Sequence, residues 1–169
     1  GWTTAAFVGS AVLKKTVGLH QGFQVYDDRI PEPDVDSAVR GHADRPAEVV
    51  VDLAIQWLSR QDRTRPIFLW VHLYDPHAPY SPPPPFKETF RQRPYDGEIA
   101  YTDSQVGRLL KGVEDGGLSP NTIVSILADH GESLGEHGEF SHGVFLYEST
   151  VRIPWVLAGP GMPAAKRVR

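Results

Sequence analysis

Cysteine is absent from this 169-residue sequence. That excludes disulfides and any zinc site built on thiolates, although it does not identify a compartment. Long apolar runs are missing as well: none approaches the roughly 20 residues that cross a bilayer, so this segment supplies no membrane span. The opening GWTTAAFVGSAVLKK lacks the basic-then-apolar order of a signal peptide. Charge of one sign is not in excess either. The 17 Lys+Arg and 21 Asp+Glu are interspersed and sum to −4, which argues against nucleic acid or an anionic membrane as the main partner. The basic tail Lys166-Arg167-Val168-Arg169 is too short to form a patch. Repeats and linkers are lacking, and Pro82–Pro85 is the one low-complexity stretch.

What is present alternates between strand and helix patterns, the signature of a parallel sheet with crossover helices. Thr3–Val8 reads as a strand, followed by a polar, proline-punctuated loop from Asp27 to Asp44. Asp44-Arg45-Pro46 then predicts a helix ending near Gln61, with Asp44 as N-cap and Val50, Ala54, Trp57 and Leu58 on one face. Ile67–Leu73 is the next strand. The five prolines between His77 and Pro85 rule out helix and central strand, leaving an extended, ordered loop. Ile99, Val106, Leu109, Leu110 and Val113 recur at helical spacing, predicting a core-facing helix from about Glu98 to Val113 that stops at Gly116-Gly117. In that helix Tyr101 reads as packing. Ile123–Ala128 and Ile153–Ala158 are the last strands, the former expected to be buried on both faces of a parallel sheet.

The most informative stretch is Ile123 to Gly143, IVSILADHGESLGEHGEFSHG, where an apolar strand runs into a loop of carboxylates, imidazoles and glycines. Asp129 and His130 stand at the strand's carboxyl end, the edge at which ligands bind in open α/β sheets. One hard oxygen beside one borderline nitrogen suits a divalent cation such as Mn2+, Zn2+ or, with more oxygens, Ca2+. An Asp at a strand end is also an ordinary turn cap. Three imidazoles in one such loop, His130, His137 and His142, call for more than that. Gly131-Glu132-Ser133-Leu134-Gly135 matches the G-x-S-x-G elbow of serine esterases, but four residues separate Ser133 from the strand and no helix follows. His130-Gly131-Glu132 and Glu136-His137 lack the spacing of a helical zinc motif. A histidine between prolines, like His77, is usually just solvated, and His72 within a strand is usually a satisfied core residue. His20 and His42 have no supporting context.

These residues carry a family resemblance. Asp129-His130-Gly131-Glu132, Leu134-Gly135-Glu136-His137-Gly138, His142-Gly143, Leu146-Tyr147-Glu148, Arg152-Ile153-Pro154 and Gly159-Pro160-Gly161 together resemble the C-terminal half of a sulfatase catalytic domain, in the alkaline phosphatase superfamily. Phe68-Leu69-Trp70-Val71-His72 with Asp75-Pro76-His77-Ala78-Pro79-Tyr80 resembles the same family's central strand and histidine loop. The resemblance extends to Gly1–Gly9, Gly18-Leu19, Gly22-Phe23 and Tyr26-Asp27-Asp28, and so covers nearly the whole chain in family order.

The resemblance implies an α/β fold, a partial three-layer sandwich with a mostly parallel sheet. Residues 1–169 would be a single incomplete catalytic domain, a fragment inactive alone, with the nucleophile and two further acidic metal ligands upstream. It also implies hydrolysis of a small-molecule sulfate or phosphate-type ester through a covalent intermediate, assisted by a divalent metal ion, Ca2+ or Mn2+ ahead of Zn2+ or Mg2+. Asp129 and His130 would be metal ligands, and His77 and His142 catalytic residues lining the substrate pocket. His142 stands where relatives often have lysine and can replace it as a protonated ring or a hydrogen-bond donor. Glu132, Glu136 and His137 would orient the ligands. Exposed sheet surface would favour self-association. One departure concerns sulfate itself: Gly9-Ser10-Ala11-Val12 replaces the family's Gly-Lys-Trp-His pattern, so a phosphate or phosphonate ester hydrolase, and a non-catalytic binding module that retains the pocket, stay open alternatives.

Overall fold

A computed structural model of the chain describes residues 1–30 and 44–167. Most of the expected loop from Asp27 to Asp44, with His42, and the last two residues of the basic tail lie outside the described residues. The chain divides at Gly116/Gly117 into two compact units.

In the first unit β1 (Thr3–Val8) pairs in parallel with β2 (Val25–Asp27) on one side and β3 (Ile67–His72) on the other. β1 is central, and its side chains alternate between two cores as the period of two requires. Ala5 and Phe7 meet Val50 and Ala54 of α1 (Ala47–Ser59), with Leu69, Val71 and Leu109 around them. Ala6 and Val8 face the other way, against Tyr26, Phe23 and Trp70. With both faces covered, the strand carries small and apolar residues without polar alternation.

The expected cap of α1 is corrected. Pro46 itself occupies the N-cap position, in an extended conformation, so Asp44 lies too far upstream to reach the first N–H groups and instead bridges Ser10. The orphan donors are taken by distant residues: Ala47 N–H donates to Asp75 Oδ2 at 3.1 Å, and Glu48 N–H to the Tyr101 hydroxyl at 3.1 Å. After the short α2 (Phe86–Thr89), α3 runs from Pro94 to Asp115, starting four residues before the expected Glu98. Its buried face is Gly97, Glu98, Tyr101 and Gln105; of the expected stripe Leu109 packs on the core and Val106 and Val113 are half-buried, while Ile99 and Leu110 are exposed, a correction at those two positions. The helix can turn a carboxylate inward because backbone N–H groups wait there to receive it.

In the second unit β4 (Val124–Leu127) pairs with β5 (Trp155–Ala158) antiparallel, Val124 opposite Ala158 and Leu127 opposite Trp155. This corrects the expected parallel setting for the strand preceding Asp129. The connection holds a 3-10 turn (Glu136–Gly138) and the four-residue α4 (Glu148–Val151), whereas a parallel return usually runs through a full helix. Burial on both faces is not found either: Leu127 is 60% and Trp155 69% exposed.

Candidate active site

Within the second unit, Asp129 and His130 leave the end of β4 side by side. The His130 N–H donates to Asp129 Oδ1 at 3.0 Å, and His130 Nε2 lies 3.8 Å from the same oxygen. His130 Nδ1 is 2.7 Å from the Gly131 carbonyl. A carbonyl only accepts, so Nδ1 carries the proton and the lone pair of the neutral ring resides on Nε2, the nitrogen facing Asp129. One hard carboxylate oxygen and one imidazole nitrogen at this separation fit two positions around a divalent cation. Among the described residues no group of three ligating side chains converges.

His142 comes back against this pair, its ring centroid 4.0 Å from that of His130. Its Nδ1 lies 3.1 and 3.3 Å from the two oxygens of Glu132, whose side chain is only 6% exposed. An ionised carboxylate only accepts, so Nδ1–H is the donor and the ring orientation is set by a buried partner.

Gly131 makes the approach geometrically possible. Its N–H donates to the Thr150 carbonyl at 2.8 Å, and a Cβ there would stand 2.1 Å from the Ser149 carbonyl oxygen. Only glycine lets the strand-end loop lie this close to α4.

The other polar residues of the loop have structural partners. Ser133 is buried and its hydroxyl donates to the Glu136 carbonyl at 3.1 Å, in a loop leading to a single 3-10 turn, so the esterase elbow is not formed. The Glu136 carboxylate accepts the Leu134 N–H at 2.6 Å, and this bond first among several holds it below the usual carboxylate range. His137 stacks on Tyr147, centroids 4.1 Å apart.

His77 belongs to the first unit. Its ring stacks on Tyr74 with centroids 4.3 Å apart, and Nδ1 lies 2.6 Å from the Ala78 carbonyl, which again makes Nδ1 the donor. The loop borders a cavity of about 270 Å³ lined by Asp44, Glu48, Tyr74, Asp75, His77 and Glu98, among others. His72, at the end of β3, accepts the Gly9 N–H at 3.4 Å through Nδ1, as a satisfied strand residue does.

Glu98 was not legible as part of this site. It is 4% exposed and accepts the His77 N–H at 3.0 Å and the Ser81 N–H at 2.6 Å. Burial pushes its carboxyl up to about 7, against the pull of those two N–H groups and with a further push from Asp75 and Asp44. Asp75 is also raised, by burial, and burial with the Asp44 charge takes the Tyr74 phenol to about 12. The available signal was the helical face Glu98-Tyr101-Gln105, which competes with an apolar stripe one residue away.

The sulfatase family's sequence pattern matches residues 7–169, and the chain belongs to that family, within the alkaline phosphatase superfamily. An arylsulfatase of Clostridium perfringens is 26% identical over 156 residues, covering 69% of this chain and 32% of the relative. Mouse iduronate 2-sulfatase is 39% identical over 88 residues, 52% of this chain and 16% of that enzyme. In fold, the phosphonate monoester hydrolase of Agrobacterium radiobacter superposes with a TM-score of 0.72 at 17% identity, over 95% of this chain and 51% of its own. The chain thus spans about a third or less of the length of these two sulfatases.

Proposed function

We propose that this chain is part of a metal-dependent hydrolase of sulfate esters, with phosphate or phosphonate monoesters as the alternative substrates. The observation that carries the reading is the cluster in the second unit: Asp129 and His130 side by side, with His142 packed on His130 and tied to Glu132. Family membership supports hydrolysis assisted by a metal ion, the resemblance putting Ca2+ or Mn2+ ahead of Zn2+ or Mg2+; the oxygen and imidazole pair by itself suits Mn2+, Zn2+ or, with more oxygens, Ca2+. Held by Asp129 and His130 with donors from elsewhere in the protein, the ion would neutralise the ester's non-bridging oxygens and lower the pKa of the nucleophile. The sequence contains no cysteine, so a formylglycine made from cysteine would come from outside these residues.

The chain's own side chains then have distinct tasks. The bond from His130 Nδ1 to the Gly131 carbonyl fixes its ring with Nε2 as ligand. Glu132 accepts the hydrogen bond from Nδ1–H of His142, so His142 meets the substrate through Nε2. A ring donating from both nitrogens is an imidazolium, and it would supply there the cation that relatives often supply with lysine. His77, its own Nδ1 engaged by Ala78, donates from Nε2 to the ester oxygen. Donors aimed at charge that develops in the transition state are worth on the order of 10²-fold or more in rate each.

The test is turnover by the full-length protein of an aryl sulfate, an aryl phosphate and a phenyl phosphonate, with His142→Ala and His142→Lys beside the wild type. We expect the sulfate to be preferred, His142→Ala to lose on the order of 10²-fold in kcat, and His142→Lys to retain more activity than the alanine variant. Unchanged kcat and KM in both variants would remove His142 from the pocket.

A further inference from the structure

The backbone of the His77 loop is bound from a distant element. From Asp75 to Pro85 it carries no regular secondary structure, and its prolines have no N–H with which to tie it down. Beside the Asp75 bond to α1 and the His77 bond to Ala78, two bonds come from α3. Glu98 reaches out of the helix with both oxygens engaged, Oε2 by the His77 N–H and Oε1 by the Ser81 N–H. Gly97 lets the helix approach, since a Cβ there would stand 2.8 Å from Pro82 Cγ. Tyr101, one turn on, accepts the Glu48 N–H and packs on Phe86.

We propose that Glu98 is a positioning residue for His77, its carboxylate clamping the backbone at both ends of the segment from His77 to Ser81 and thereby fixing where the imidazole stands. This rests on the proposed role of His77 in hydrolysis, which the test separates from the clamp itself. A misplacement of about 1 Å in a catalytic group is enough to reduce turnover on the order of 10²-fold, and the Glu98 carboxylate holds the backbone N–H groups on either side of Ala78-Pro79-Tyr80.

The clamp tightens with charge, because an ionised carboxylate is the stronger acceptor of two N–H groups. The groups that face Glu98 from the surrounding elements are Asp44 ahead of α1 and Glu48 in its first turn, Tyr74, Asp75 and His77 from the loop after β3, and Tyr101 on α3 itself. Asp44 and Asp75 both disfavour ionisation. With the carboxyl titrating at about 7, the clamp strengthens as pH rises through neutrality.

The experiment uses the full-length protein, wild type, Glu98→Gln, His77→Ala and the double variant. Gln keeps the shape but turns one acceptor into an NH₂ aimed at a backbone N–H. For the aryl sulfate we expect kcat to fall at least tenfold in Glu98→Gln, more than KM changes, and the double variant to be no worse than His77→Ala alone, as for a residue acting through another. The acid limb of the wild-type pH profile should vanish in Glu98→Gln. In ¹⁵N-resolved spectra the His77 and Ser81 amide protons should titrate together in the wild type and not in the variant. Losses that add in the double variant, or amides that do not move between pH 5 and 9, would overturn the clamp. If the wild type hydrolyses no sulfate or phosphate ester, the hydrolase reading fails and the amide titration alone decides the clamp. The wild-type titration decides it also if the Gln variant does not fold.

Discussion

Replacing Arg45 with methionine should destabilise the parallel sheet of the first unit by about 3–5 kcal/mol, the usual cost of removing one partner from a buried ion pair. Arg45 is 3% exposed and Asp27 7%. The guanidinium donates from Nη1 to Asp27 Oδ1 at 2.7 Å, and from Nη2 to the Asp27 and Val8 carbonyls. One side chain therefore joins the carboxyl ends of β1 and β2. Methionine fills the space and leaves a buried carboxylate and two carbonyls without that donor. Arg29 also binds Asp27 but is 74% exposed, so it cannot replace the internal donor. Burial raises the Asp27 carboxyl, but the bonds from Arg29 and Arg45 outweigh it and hold the group below its ordinary value. A carboxylate lowered on folding contributes stability above its unfolded pKa and loses it as pH falls through the folded one. Wild-type stability should therefore drop on acidification below about pH 4, and this acid-side loss should shrink in Arg45→Met. Native-state hydrogen exchange of the β1 amides in the full-length protein at pH 7 reads the change. The double variant Arg45→Met, Asp27→Leu should recover part of it, since no unpaired charge remains. A single variant within 1 kcal/mol of wild type would refute the reasoning.

Much of the fold was legible because its signals are local and periodic. Thr3–Val8 reads as a strand from its apolar run, and α1 from the spacing of Val50, Ala54, Trp57 and Leu58, and both stand where expected. The loop of prolines is non-helical for a reason contained in the residue itself. What was not legible depends on partners distant in sequence. The cap of α1 comes from Asp75 and Tyr101, 28 and 53 residues away, and no local pattern announces it. The inward turn of Glu98 similarly requires knowing that two loop N–H groups need an acceptor. The direction of β4 differs from the expectation because an apolar strand looks alike in parallel and antiparallel settings, and the sign in the following connection is its lack of a full crossover helix. The candidate site divides along the same line. Asp129, His130 and His142 were nominated by residue type and order within one loop, and the structure brings these three together in the second unit. Glu132 as the fixed partner of His142 is geometry that residue type alone does not give.

Two further outcomes follow from the packing and the charges. Gly131→Ala places a methyl group 2.1 Å from the Ser149 carbonyl, so the loop must lift from α4; His130 and His142 imidazole resonances should lose their mutual dependence and activity should fall, whereas an unchanged spectrum would mean the close approach is not needed. The last outcome is thermodynamic and concerns Glu98. Burial raises its carboxyl from the ordinary 4.5 to about 7 in the folded protein. For a group whose pKa rises on folding, the favourable contribution is fully present below the unfolded value and is lost as pH climbs through the folded one. Between pH 4.5 and about 7 the wild type thus gives up roughly 3 kcal/mol that a glutamine at the same place does not. The two loop N–H groups oppose this loss without cancelling it, because removal of the charge from water remains the larger effect. Whatever fixed cost the amide imposes by offering one acceptor instead of two is nearly the same at every pH. The stability of Glu98→Gln relative to wild type, from urea midpoints of the full-length protein, should therefore improve by roughly 3 kcal/mol between pH 5 and pH 8. A difference that stays constant across that window would mean that Glu98 ionises in the folded protein as it does in water, and that the carboxylate is not held in the buried position between His77 and Ser81.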